Sequence, residues 1–224
     1  MKLKLQETLD AFTAELIDSG KIPNDIVKGL KEGIAEQVAS GRADLALKAG
    51  KPAPTFTLSD AEGNRVSSVE LLSRGPLIVS FYRGVWCPYC NIELKALEAV
   101  REDIEARGAS IVAVSMQTAA NSRKSSRENE VRFPILVDAG GFVAAQFGLR
   151  YSLSPETIQL YKTLGNDLQV INGEDSWTLP MPGRYVIGRD GIVAHAEINP
   201  DYTQRPEPSD LLPILDHLRH RDAA

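Results

Sequence analysis

An α/β fold is predicted for this chain, with a mixed central sheet flanked by helices and a helical extension in front of it. Three features predict it. A strand–helix–strand pattern fills residues 77 to 114, a hairpin pattern lies near residue 190, and two amphipathic helical stripes occupy residues 1–48. The first pattern implies parallel pairing and the second antiparallel pairing, hence a mixed sheet.

Each element follows from local pattern. Leu5, Leu9, Phe12 and Leu16 recur at helical spacing on one face. Gly20 and Pro23 interrupt them, and Ile26, Leu30, Ile34 and Val38 form a second stripe that ends at Gly41. Residues 1–48 thus read as an arm, and residues 49–224 as the main domain. The arm can bury its stripes on its own domain or on a partner subunit, so a homodimer through the arm stays open.

At Gly50-Lys51-Pro52-Ala53-Pro54 the prolines stop any helix. Phe56 and Leu58 alternate with Thr55 and Thr57 as a short strand, and Ala61-Glu62-Gly63-Asn64 is a turn. Leu77 to Tyr82 is an apolar run suited to a buried strand. Leu94, Leu97, Val100 and Ile104 mark the inner face of one helix reaching Gly108, and Ile111 to Val114 is the next strand. Such a unit implies a parallel pair with a right-handed crossover. A polar helix from Ala119 to Ser126, a strand at 135–137 and helical stretches to about Leu164 follow. Tyr185 to Ile187 and Ile192 to Ala194 flank the turn Gly188-Arg189-Asp190-Gly191. The last helix carries Leu211, Leu212, Leu215 and Leu218, with Pro213 tolerated in its first turn.

The composition narrows the function. With 25 basic against 30 acidic residues the net charge is −5, which argues against a general nucleic-acid or anionic-membrane binder. No apolar run approaches the ~20 residues of a membrane helix. The opening MKLKLQETLD has neither an apolar core nor a cleavage site, so a cytoplasmic location is expected.

The chain's 2 cysteines stand as Cys87-Pro88-Tyr89-Cys90. A structural disulfide framework would use more cysteines, further apart. This pair follows a buried strand and opens a helix. A helix N-terminus offers free N–H groups and the positive end of the dipole, both favouring a thiolate, the nucleophilic form. The dipole supplies up to about 2 kcal/mol, which lowers a thiol pKa by at most about 1.5 units. A larger shift needs a cation, and Arg83 is the candidate. Residues three apart on a helix can close a disulfide, and Pro88 costs no hydrogen bond at an early helical position. Two other readings compete. The pair could be half of a zinc site completed by His217 and His220, or two inert buried thiols.

Several motifs carry a resemblance. They are Gly50-x-x-Ala53-Pro54-x-Phe56-x-Leu58-x-Asp60-x-x-Gly63, Phe81-Tyr82 ahead of Cys90, Glu93 just beyond it, and Phe133-Pro134-Ile135-Leu136-x-Asp138. From about residue 49 to 219 the chain resembles the peroxiredoxin-like branch of the alkyl-hydroperoxide-reductase and thiol-specific-antioxidant (AhpC/TSA) superfamily. Trp86-Cys87-x-x-Cys90 is similar to thioredoxin, and Cys-Pro-Tyr-Cys to glutaredoxin.

The resemblance implies a thioredoxin-like fold and a thiol-dependent peroxidase acting on hydrogen peroxide or organic hydroperoxides. It implies Cys90 as the peroxidatic thiol and Cys87 as the resolving thiol. The Cys87–Cys90 disulfide would be recycled by thioredoxin, glutaredoxin or glutathione, without a cofactor, nucleic acid or membrane. Trp86 would shield the thiols, Arg83 would supply charge, and Glu93 would move a proton or pair with a cation. Pro182 sits where thioredoxin-like proteins place a cis-proline, so a cis bond after Met181 is expected. The segment Asp201-Tyr202-Thr203-Gln204-Arg205 also resembles a recurring loop of this branch. Tyr82 and His195 read as structural, and Trp177 as core packing or a cover.

There are departures. Arg83 and Cys87 stand where peroxiredoxins carry a proline and a threonine, and Pro182 stands at their arginine; Arg83 and Arg184 are the candidate replacements. Two alternatives therefore stay open. One is a protein disulfide oxidoreductase with Cys87 as nucleophile. The other is a non-enzymatic redox switch on a binding surface.

Overall fold

The computed structural model describes residues 4–223. In chain order the elements are α1 (Leu5–Asp18), α2 (Asn24–Ala39), β1 (Thr57–Asp60), β2 (Arg65–Ser67), α3 (Ser68–Arg74), β3 (Leu77–Phe81), α4 (Pro88–Ala99), α5 (Arg101–Glu105), β4 (Ser110–Ser115) and α6 (Ala119–Asn129). They continue as β5 (Ile135–Val137), α7 (Phe142–Gln146), β6 (Arg150–Ser152), α8 (Pro155–Thr163), α9 (Leu168–Asn172), β7 (Thr178–Pro180), β8 (Gly183–Ile187), β9 (Val193–Ile198) and α10 (Leu211–Ala223).

Seven strands form one mixed sheet in the order β2-β1-β5-β4-β3-β8-β9. β3–β4 and β4–β5 are parallel; the other neighbours are antiparallel. β3 is buried along its whole length, which its unbroken apolar run anticipates. Because successive side chains point to opposite faces, Leu77, Val79 and Phe81 enter one core, while Ile78 enters the other. The second core joins Leu94 and Leu97 of α4 to Leu211, Leu215 and Leu218 of α10.

The structure corrects three readings. The helix after the cysteines is two helices, because Val100 (φ −106°, ψ 4°) leaves helical geometry between α4 and α5. The stretch read as helical to Leu164 includes β6, which pairs with the unpredicted β7 in a separate two-stranded sheet. Three-residue strands are too short to show a period of two. Among the described residues no peptide bond is cis, so the bond after Met181 is trans. Met181 N–H donates to the Leu149 carbonyl at 2.8 Å, and β8 starts at Gly183. The chain passes directly from one strand into the next, so no tight turn there calls for a cis proline.

The arm packs on its own chain. Leu5 and Leu9 of α1 are buried in the core that holds Leu94 and Leu97. Thr13 Oγ1 lies 3.0 Å from Tyr89 Oη, and Phe12 meets Tyr89 edge-on. Leu5 N–H donates to Glu207 Oε2 at 2.8 Å, and Arg205 N–H donates to Gln6 Oε1 at 2.8 Å. α2 lies against α8 so closely that a Cβ on Gly29 would sit 2.8 Å from Leu160 Cδ1. Val38, at the end of the second stripe, is 52% exposed and takes no part in this packing. Among the described residues no helix is long and apolar enough to cross a membrane.

Leu9→Ala should cost about 2–5 kcal/mol, the usual range for truncating a buried leucine. Chemical denaturation measures it; a loss below about 0.5 kcal/mol, typical of surface sites, would show that α1 does not pack on α4.

Candidate active site

The thiols lie on the turn between β3 and α4. Cys87 is the residue capping α4, with extended backbone (φ −94°, ψ 108°), and Pro88 takes the first helical position. The turn is pinned from several sides. Cys87 N–H donates to the Gly84 carbonyl at 3.1 Å, Val85 N–H to Gln117 Oε1 at 2.8 Å, and Asn91 Nδ2 to the Val85 carbonyl at 2.7 Å. Gly84 adopts φ 144°, and a Cβ there would sit 2.6 Å from Trp86 Nε1, so a side chain would collide with the indole. Beneath the turn, Gln117 Nε2 donates to Tyr82 Oη at 2.7 Å, which donates to Ser125 Oγ at 3.2 Å. Tyr82 is thus a buried structural hydroxyl, its pKa pushed up by burial.

Both thiols are free and buried, Cys87 at 1% exposure and Cys90 at 0%. Each faces a guanidinium. Arg83 Nη1 lies 3.7 Å from Cys87 Sγ, and Arg205 Nη2 lies 3.8 Å from Cys90 Sγ. Arg205 is also held by Glu93, whose Oε2 accepts from Nε at 2.6 Å. Arg83 has a different environment. It bonds the Tyr161 hydroxyl, its Cζ lies 3.7 Å from the Tyr202 ring centroid and 4.6 Å from that of Trp86. Among the described residues it has no carboxylate partner.

The two thiols are therefore unequal. Burial opposes ionisation of Cys87, but the hydrogen bond from the Cys90 thiol and the charge of Arg83 outweigh it, bringing the pKa down to about 6. Cys90 moves the other way. Burial, the hydrogen bond it gives to Cys87 and the Cys87 charge hold it well above the ordinary thiol range, although Arg205 and Arg83 pull downward. The arrangement thus favours the charge on Cys87 and the proton on Cys90.

Cys87 lines a cavity of about 470 Å³; Arg83, Trp86, Tyr89, Tyr161 and Tyr202 share its wall. Glu93 and Pro182 lie on the other side, in a cleft of about 400 Å³ that also touches Arg184 and Arg205. Of the two arginines weighed as replacements, Arg83 reaches a thiol. Arg184 instead pairs with Glu197 at 2.5 Å and donates to the Pro206 carbonyl at 3.2 Å. Sequence reasoning gave Arg205 no role of its own; its only signal was the 201–205 segment. There Asp201 Oδ1 accepts from Thr203 N–H at 2.9 Å and from its hydroxyl at 2.6 Å, shaping a turn that brings Tyr202 over Arg83.

The remaining candidates lie elsewhere. Trp177 sits beneath Lys162, 5.1 Å from its Nζ, and His195 pairs with Glu197 at 3.2 Å. His217 and His220 are on the exposed face of α10, whose buried face carries Leu211, Leu215 and Leu218, so they cannot join the buried thiols as zinc ligands.

A dithiol that opens a helix directly behind the central strand of a mixed sheet defines a thiol-redox protein of the thioredoxin-fold class. The chain belongs to the AhpC/TSA family, which it matches over residues 49–196. It is 24% identical over 131 residues to thiol-disulfide oxidoreductase ResA of Bacillus thuringiensis, covering 58% of this chain and 73% of that protein. It is 27% identical over 148 residues to a chloroplastic peroxiredoxin Q of rice (Oryza sativa), covering 65% of this chain and 57% of the relative. Among solved structures, peroxidoxin BcpB of Mycobacterium tuberculosis superposes with a TM-score of 0.60 at 23% identity, over 78% of this chain and 97% of that one.

In the reduced protein, thiolate absorbance near 240 nm should rise in a single step with a midpoint near pH 6. Because Arg83 favours the charged form, Arg83→Met should move that midpoint upward by about one unit or more. An unchanged midpoint would remove Arg83 from the account.

Proposed function

We propose that this protein is a thiol-dependent peroxidase in which Cys87 and Cys90 cycle between dithiol and disulfide. The observation that carries this reading is a thiol 3.7 Å from a buried guanidinium on a cavity wall, one helical turn from a second thiol, in an AhpC/TSA scaffold. The thiolate sulfur attacks the terminal oxygen of the peroxide, and the O–O bond breaks. The departing alkoxide or hydroxide takes a proton and leaves as alcohol or water. The sulfur, oxidised by two electrons, becomes a sulfenic acid. The second sulfur then attacks it, water leaves, and the disulfide forms. A dithiol donor of the thioredoxin type restores both thiols by exchange.

By its family position we assign the first oxidation to Cys90, which requires its proton to pass to Cys87 as it attacks, and the Arg205–Glu93 pair beside it supports that role. The charge distribution favours a second reading, in which Cys87, ionised at rest and on the cavity wall, attacks first and Cys90 resolves. A disulfide oxidoreductase would also use Cys87, as the similarity to ResA suggests. A reducing compartment such as the cytoplasm suits a pair that must be re-reduced each turnover. Since the arm's inner faces pack on their own domain, a homodimer through the arm would use its outer faces.

Stopped-flow peroxide consumption and sulfenic-acid trapping with dimedone separate these roles. If Cys90 attacks, Cys90→Ser should lose about 10³-fold or more in rate, while Cys87→Ser still forms one trapped sulfenic acid per chain. The reverse pattern assigns the attack to Cys87. Rapid insulin reduction by wild type, with negligible peroxide consumption, would overturn the peroxidase reading in favour of the oxidoreductase.

A further inference from the structure

The arm supplies a large share of the wall of the cavity in front of Cys87. From α1 come Phe12, Thr13, Leu16 and Ile17; from α2 come Val27, Leu30 and Ile34. The far wall is Trp86, Tyr161, Leu164 and Tyr202. Cys87 shares the lining with Arg83, whose Nε has no hydrogen-bond partner although the residue is 2% exposed. Hydrogen peroxide needs none of this apolar lining. A cavity of about 470 Å³ with one reactive, polar end and apolar walls is of the size and character that hold a small organic molecule.

We infer that this cavity binds the organic group of an apolar hydroperoxide, and that the arm sets the enzyme's preference for such substrates over hydrogen peroxide. The inference rests on the peroxidase reading and extends it to a substrate class. The alkyl or aryl group lies between α1, α2 and the Trp86–Tyr161 wall, and the peroxide group meets Arg83 and Cys87. Burial of the organic group removes apolar surface from water on both sides, which favours binding by roughly 25 cal/mol per Å².

The arm residues that line the cavity are half-buried rather than core, which makes the test practical. Leu16 on α1 and Ile34 on α2 are both of this kind, and they belong to separate helices. The full-length, pre-reduced protein is mixed with cumene hydroperoxide or with hydrogen peroxide in single turnover. The wild-type rate constant for cumene hydroperoxide should exceed that for hydrogen peroxide by about tenfold or more, the range one pocket-filling apolar group supplies. Leu16→Gln and Ile34→Gln should each lower that ratio by about fivefold, which a general loss of folded protein would not do.

A second measurement does not depend on turnover. The chain has 2 tryptophans, so Trp177→Phe leaves Trp86 on the cavity wall as the sole indole. Titration with 2-phenyl-2-propanol, the unreactive product alcohol, should quench or shift its fluorescence saturably, and Leu16→Gln should abolish the change. Equal rates for both peroxides, with a ratio unmoved by either substitution and no saturable alcohol signal, would overturn the inference and leave the peroxidase reading standing. Alcohol binding without consumption of either peroxide would overturn the peroxidase reading and leave an apolar-ligand site.

Discussion

Two guanidinium groups are buried beside this dithiol with a single carboxylate between them, and the rest of the site answers that imbalance. Removing a charge from water is costly unless it is paired and hydrogen-bonded. Arg205 meets the condition with Glu93. Arg83, enclosed by aromatic rings and a tyrosine hydroxyl, finds its anion in the Cys87 thiolate. Proton placement follows. Two anionic sulfurs in hydrogen-bond reach would repel strongly, so one gives up its proton and the other keeps it. The thiol that keeps it, Cys90, donates it to Cys87, so the resting asymmetry is a property of the pair rather than of either residue.

The loop at 201–207 and the arm are what keep that arrangement closed. Tyr202 lies over Arg83, and Arg205 reaches Cys90. The loop has little regular structure of its own, and α1 holds it through Gln6 to the Arg205 amide and through Leu5 to Glu207. α1 is itself fixed by burial of Leu5 and Leu9 against the face of α4 whose N-terminus carries the thiols. One helix therefore seats on the helix that carries the thiols, ties down the loop that supplies its second cation and helps wall the cavity in front of Cys87.

Much of this was legible in the sequence because the relevant patterns are local. The β3 run, the cysteine turn, the stripe on α4 and the two stripes of the arm each announce themselves within a dozen residues. What stayed hidden depends on distance or on brevity. β6 and β7 are three residues each and exist through pairing with one another. Arg205 lies 115 residues beyond Cys90, and only the folded loop brings them together. Arg184 shows the converse. Its place beside Pro182, where the family's arginine would stand, made it a candidate, yet Glu197 on the neighbouring strand claims it, since residues 184 and 197 are paired in register. The trans bond at Met181–Pro182 departs from an expectation taken by likeness rather than from the residues.

The same charge balance bears on the oxidised state. Closing the disulfide abolishes the Cys87 thiolate and leaves Arg83 buried without its anion. Whatever stabilises the thiolate thus stabilises the reduced form relative to the disulfide, and a pair so arranged is the more easily reduced. That suits a protein whose oxidant is a peroxide, which drives sulfur oxidation regardless of a modest change in potential. Arg83→Met should accordingly move the equilibrium with a glutathione buffer toward the disulfide by about tenfold or more, the equivalent of one pKa unit. A shift toward the dithiol would mean that Arg83 is balanced by some other group and that the thiolate is not its counter-charge.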